Sequence, residues 1–492
     1  MKLYNKNIIV SALVFMSFSI LCSCQKQLDI NHSPNNPALD LGSPQIVFPG
    51  AVLATAAKTG GDLAILGGLW SEYYTQSAVA SQYRSLVQYN IQSPNFNSSY
   101  TVLMSSGLKN YQYVIDKAKT SEDWNYYLMA TVMKAYTTEV LVDLYDQIPY
   151  SESLLGQSNL HPKFDDGHTI YLNLLASLDT ALAKNLNAPT STNPGSSDLI
   201  FGGKMSNWIA FANTLKLKMY LRMVNKYPSD AENGIKALYA TSPSFLTVDA
   251  ALTGFADQDS KRNPMYEQNI KQLNTPDNLR ACKSFVSWLQ QNSDPRITPF
   301  FGKPNITTVN AGDDNSATAG ASTAATFVEH YNDPVEFISA AESYFLQAEA
   351  NLRYSVGATD VVSYNKGVTQ AFSELGLDAT SFIALGGAYM YPITGSMADK
   401  LQAIITQKWA ECAYGCHGIE AYFEKNRTGY PKTSLVYSDN IAYIPGQIVV
   451  SKSSVLAAGQ LPKRLVFPYV EIQSNPNAPA LVPITTPVWW GN

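Results

Sequence analysis

Cys412, Cys416 and His417 lie close enough along the chain to share a metal ion. On a helix, i, i+4 spacing would put both thiols on one face. A tetrahedral site needs a fourth ligand, and none is evident nearby. Buried small side chains are the better reading, so neither a metal nor another cofactor is expected. Asp313-Asp314-Asn315 could bind Ca²⁺, but the loop lacks the glycine and distal glutamate of an EF-hand. None of the five histidines (His32, His161, His168, His330, His417) lies in a local nucleophile–base pattern. No phosphate loop, dinucleotide fingerprint, HExxH or G-x-S-x-G occurs. A glycosidase needs only two carboxylates across a cleft, and 39 acidic residues leave that open. Most of these sit at helix starts or opposite basic residues, where capping and solvation explain them. No catalytic residue is therefore expected.

The aromatic residues offer different chemistry. The chain holds 30 Tyr against 19 Phe and 7 Trp. Flat ring faces stack on the C–H patches of sugars, and planar polar groups bond their hydroxyls. Three groups fit that description. Trp70, Tyr73, Tyr74 and Tyr83 fall in one short stretch. Arg262, Asn263 and Tyr266 join polar and aromatic groups, and Tyr389 and Tyr391 share a loop with Gly386 and Gly387. For the first group an ordinary helix–helix seam is the simpler expectation.

Helices must position these residues. The spacing predicts helices from Pro44 to about Ala57, Leu63 to Leu86, Tyr100 to Ala118, and on from a Ser121 cap past Leu144. Further ones run Thr169–Leu186, Trp208–Val224, Val361–Leu375 and Met397–Trp409. The clearest follows Asp333, with Pro334 in its first turn, Glu336 three residues after the cap and an apolar stripe through Leu352. Paired helices with short loops suggest TPR-like hairpins in a mainly α superhelix with few short strands, although the repeat consensus is not met. Between Pro243 and Val328, and again at Ser381–Thr394, the texture is loop-like. From Asn426 onward, loops with a small hairpin or two are expected, for example at Gln447–Val450.

Hydrophobic residues make up 46 % of the 492, enough for a sizeable core, and only 15 % are charged. A net charge of −5 without a long basic cluster argues against nucleic acid. Lys2 and Lys6 precede an apolar run from Ile8 to Leu21 of signal-peptide length. Leu21-Cys22-Ser23-Cys24 then resembles a bacterial lipobox. Residues 1–23 are expected to be removed, Cys24 to be lipidated, and 24–42 to form a tether.

Several separated segments resemble the SusD/RagB superfamily, in particular its SusD-like nutrient-binding branch. LDINHSPNNP is similar to the family's opening after the lipid cysteine, and DLYDQIPYSES to its helix-end turn. NWIAFANTLKLKMYLRM and EFISAAESYFLQAEA resemble two of its helices. IITQKWAECAYGCHGIEAYFEKNRTGYP and RLVFPYVEIQSNPNAP resemble its closing segments. Cys412, Ala413 and Cys416 depart from the larger apolar residues often found there.

The resemblance implies one SusD-like domain over 43–492. Its TPR-like helices would lie mainly at 43–240 and 333–376, with ligand-side insertions at about 243–330 and 380–395. It implies a non-enzymatic lipoprotein anchored in the outer membrane of Bacteroidota and exposed at the cell surface. Such a protein captures a glycan and passes it to a SusC-like TonB-dependent transporter. The alternatives are a peptide-binding member, a helical-repeat scaffold for other proteins, or a lipid-anchored glycosidase. The motifs transfer no ligand-contacting residue.

Overall fold

The computed structural model describes residues 42–315, 317, 320 and 322–492. The expected signal peptide, Cys24 and all of the tether but Gly42 lie outside the described residues. Helix α1 (Pro44–Thr59) starts on a proline in its first turn, where the missing N–H costs nothing. It is followed by α2 (Asp62–Trp70) and, after a helical turn at Arg84–Val87, by a helical run from Asn97 that continues without a break into α3 (Lys109–Ser121). Asp123, not Ser121, caps α4 (Trp124–Tyr145) by accepting from Tyr126 N. Helix α4 is buried on nearly every side, so its apolar residues circle the whole helix. Asp166 caps α5 (Gly167–Leu182), and α6 (Met205–Met223) and α7 (Pro228–Ala240) follow.

The region 243–330 is not only loop: it holds α8 (Lys283–Gln291) and short turns at Pro264–Lys271 and Ile297–Phe301. The second half is built from α9 (Ala340–Tyr354), α10 (Asp360–Ser373), α11 (Met397–Glu411) and α12 (Gly418–Thr428). Helices α3 and α4, α6 and α7, and α9 and α10 pack as neighbouring pairs. Helix α9 also meets α6 and α11, which joins the two helical halves. Buried apolar side chains from Phe48 to Trp490 form one contiguous cluster.

The sheets are small antiparallel pairs: β1 (Tyr74–Gln76) with β5 (Leu279–Ala281), β2 (Gln147–Pro149) with β3 (Phe164–Asp166), and β4 (Ala250–Leu252) with β6 (Val335–Ile338). Two of them correct the sequence reading. The expected Leu63–Leu86 helix stops at Trp70, because Glu72 turns left-handed (φ 59°) and β1 extends to pair with β5. The expected cap at Asp333 does not form, because Val335-Glu336-Phe337-Ile338 favours the pleated pairing offered by β4. Helix α9 starts later, behind Ser339, whose side chain accepts from Glu342 N. The hairpin expected near Gln447–Val450 is also absent among the described residues, where an isolated bridge joins Thr433 and Ile448.

Candidate functional site

The segment Arg262–Gln272 forms a wall between two cavities. Asn263 accepts from Met265 N and Tyr266 N, which caps a short helix behind Pro264. Its Nδ2 donates to Asp333 O at 3.0 Å. On one side lies an open cleft of about 550 Å³. Gln82, Arg262, Glu267, Gln268 and Gln272 line it above an apolar floor that includes Leu252 and Phe255. Arg262 is held there by Asp257, Asp259 and Glu267. Its guanidinium keeps the Asp257 carboxyl below the usual range. Tyr266 of the wall segment meets Tyr331 edge to face at 6.4 Å, and Tyr331 is 39 % exposed. Amides, a fixed cation and a half-open ring pair are the groups that hold sugars.

On the other side is a cavity of about 250 Å³ lined by Tyr73, Tyr74, Asn263, Glu329, Asp333 and His417, among others. Burial raises the Glu329 carboxyl to about 8 despite a hydrogen bond from Asn269. It also raises Asp333.

The residues expected to touch a ligand fall into different places. Arg262 lines the cleft, and Tyr266 belongs to the same wall segment. Tyr73, Tyr74 and Asn263 converge on the inner cavity. Tyr73 donates to Trp409 O and Tyr74 to Ala64 O, so both hydroxyls are already used. Trp70 is 6 % exposed, packs on Tyr422 at 4.9 Å and donates to Leu86 O. Tyr83 is also enclosed. Tyr389 is stacked between Trp288 and Phe382 and donates to Asp294, while Tyr391 donates to Asp360. Trp70, Tyr73, Tyr74 and Tyr83 are thus packed, as the simpler expectation had it, and the candidate stacking faces there and at Tyr389 and Tyr391 are corrected to buried rings. Large rings at these spacings gain more by packing on one another than by facing water. Asn263 is corrected too: it is a cap. Sequence reasoning missed Tyr331, Gln82, Gln268 and Gln272. Gln268 lies two residues beyond the candidate Tyr266, and nothing local marks the others.

Cys412 and Cys416 do not share a helix face. Helix α11 ends at Glu411, Cys412 is its C-cap, and Cys416 sits in a left-handed turn beside Asn263. Cys282, Cys412 and Cys416 are free thiols.

A family model described as "Starch-binding associating with outer membrane" matches residues 57–468. The chain belongs to this SusD-like family of the SusD/RagB superfamily. A SusD homologue from Bacteroides uniformis shares the fold at a TM-score of 0.73 and 20 % identity, covering 91 % of this chain and 99 % of that one. A structure described as a chitin-binding protein gives 0.73 at 21 %, covering 92 % and 100 %. A chitin-binding SusD homologue from Flavobacterium johnsoniae gives 0.70 at 22 %, covering 90 % and 98 %. Among curated proteins, none matches the sequence significantly.

The SusD-like motifs now acquire a physical role. Lys218 and Arg222 from NWIAFANTLKLKMYLRM, Lys408 from QKW, and Glu420, Glu424 and Arg427 from α12 form one buried ion network. Lys218 meets Glu420 at 2.9 Å, Arg222 meets Asp143 at 3.0 Å and Glu420 at 2.7 Å, and Lys408 meets Glu420 at 2.8 Å. Arg427 bridges Glu424 and Glu349, the acid of the AEA segment. These side chains are at most 4 % exposed. Burial alone would raise Glu349, yet Arg427 and Arg353 hold it down to about 2. Losing one partner of such a pair strands a buried charge, which costs about 3–5 kcal/mol. The motifs are thus the scaffold of the SusD-like fold, away from the cleft.

Proposed function

We propose that this SusD-like protein is a non-enzymatic, lipid-anchored cell-surface protein of the outer membrane. It captures a glycan and passes it to a SusC-like TonB-dependent transporter. Family membership over 57–468 is the observation that carries the reading. The description of two structural relatives as chitin-binding supports a glycan as ligand. The continuous hydrophobic cluster supports treating 43–492 as one domain. We place the glycan in the cleft of Gln82, Arg262, Gln268 and Gln272, and extend it to the Tyr266–Tyr331 ring pair that the same wall segment carries.

The test is calorimetric titration of soluble protein starting at Gln25 with chitin and starch oligosaccharides, after a glycan and peptide array. Saturable binding without turnover is expected. Tyr331→Ala and Gln268→Ala should each weaken it about tenfold, the scale of one ring or amide contact, with the melting temperature unchanged. Binding that ignores both substitutions would move the site elsewhere. Product formation would make the protein an enzyme.

A further inference from the structure

The turn between α11 and α12 gathers a separate set of groups. Glu411 closes α11, Cys412 caps it, and His417 precedes α12. One donor atom from each, a carboxylate oxygen, the thiol sulfur and an imidazole nitrogen, lies within 4.8 Å of the other two. The three residues are at most 3 % exposed. Tetrahedral bonds of about 2.0–2.3 Å separate donors by about 3.3–3.8 Å, so these groups need move little to share one ion.

A second observation points the same way. His417 Nδ1 is buried without a hydrogen-bond partner among the described residues, a costly state for a polar atom. The other ring nitrogen, Nε2, is 3.3 Å from Glu342 Oε2. Glu342 itself makes only ion-pair contacts, to Lys408, Lys218 and His417. Cys412 and His417 also line the 250 Å³ cavity, which has room for water.

We propose that Glu411, Cys412 and His417 bind one Zn²⁺-type cation, with a cavity water as fourth ligand. Thiolate, imidazole and carboxylate together favour zinc over magnesium or calcium. Binding displaces the proton of the Cys412 thiol, which donates to Glu411 Oε2 at 3.4 Å, and releases it to water. The ion would tie the α11–α12 turn to Ser339, which donates to Glu411 at the start of α9.

The chain starting at Gln25, reduced and stripped with chelator, is titrated with Co²⁺. One equivalent should bind, give a thiolate-to-cobalt charge-transfer band in the near ultraviolet, and be displaced by Zn²⁺. Cys412→Ser should abolish the band, while Cys416→Ser and Cys282→Ser keep it. His417→Gln should weaken binding at least tenfold, and it carries the test if Cys412→Ser does not fold. No band, a band that survives Cys412→Ser, or an affinity untouched by His417→Gln overturns the proposal.

Discussion

Burial governs the titration of several acids in this protein. Glu72 and Glu329 are both raised to about 8, chiefly because enclosure penalises their charged forms. In an unfolded chain each would titrate near 4.3 or so. The folded protein therefore holds their protons across that interval. The stability they contribute is fully present below the unfolded value and is lost as pH rises through the folded one. Glu349 behaves oppositely: it is held down to about 2, so its contribution is present above the unfolded value and lost as pH falls toward the folded one. The unfolding free energy should thus decline from about pH 5 to about pH 8, by at most about 1.4 kcal/mol per pH unit for each raised acid, and the melting temperature should fall with it. Glu329→Gln should flatten part of that decline. A melting temperature that rises over the window, or a slope indifferent to Glu329→Gln, would refute this account. The sequence displays each glutamate but not its surroundings, which distant elements create: Glu72 accepts from Val449 N, 377 residues away.

At the scale of elements, two helices cross at glycines. A Cβ on Gly67 of α2 would lie 2.2 Å from Ile419 N of α12, and one on Gly418 would lie 2.7 Å from Gly68 N. Neither clash involves a side chain that could turn away. Gly67→Ala should therefore force the helices apart and destabilise the protein by about 3 kcal/mol or more. Gly50→Ala, on α1 with open space around its Cβ position, should be neutral or slightly stabilising. Equal urea midpoints for the two variants would show that the crossing tolerates a methyl group. Helices of this kind were legible from periodicity: α4, α6, α10 and α11 fall within a few residues of their expected limits. The start of α9 was not. Its first expected turn contains Val335 and Phe337, which fit a strand as readily as a helix, and the choice fell to a partner strand about 85 residues earlier.

For the whole molecule, the proposed anchor makes a direct prediction. If Cys24 carries the lipid, Cys24→Ala expressed without its transporter should shift from the membrane to the soluble fraction. No helix among the described residues is long and apolar enough to cross a membrane and hold it there. Cell fractionation reads the result, and stable membrane retention of the variant would sink the lipidation proposal. The proposed passing of a glycan to a transporter rests on that placement, because the two proteins must share one membrane.

The sequence by itself determined the helical architecture and the family. Periodic apolar positions and the motifs around Lys218, Lys408, Glu349 and Arg427 are local patterns that survive without coordinates. It could not say which aromatic rings remain open. Trp70 stands among tyrosines and Tyr389 in a Gly-rich loop, yet Tyr422 and Trp288 pack on them from distant parts of the chain. Only the tertiary structure decided that Arg262 faces a cleft with Gln82, that Tyr266 meets Tyr331, and that Glu411, Cys412 and His417 meet at one turn. Exposure and convergence are set by which surfaces pack together, and packing is a property of pairs that sequence spacing does not encode.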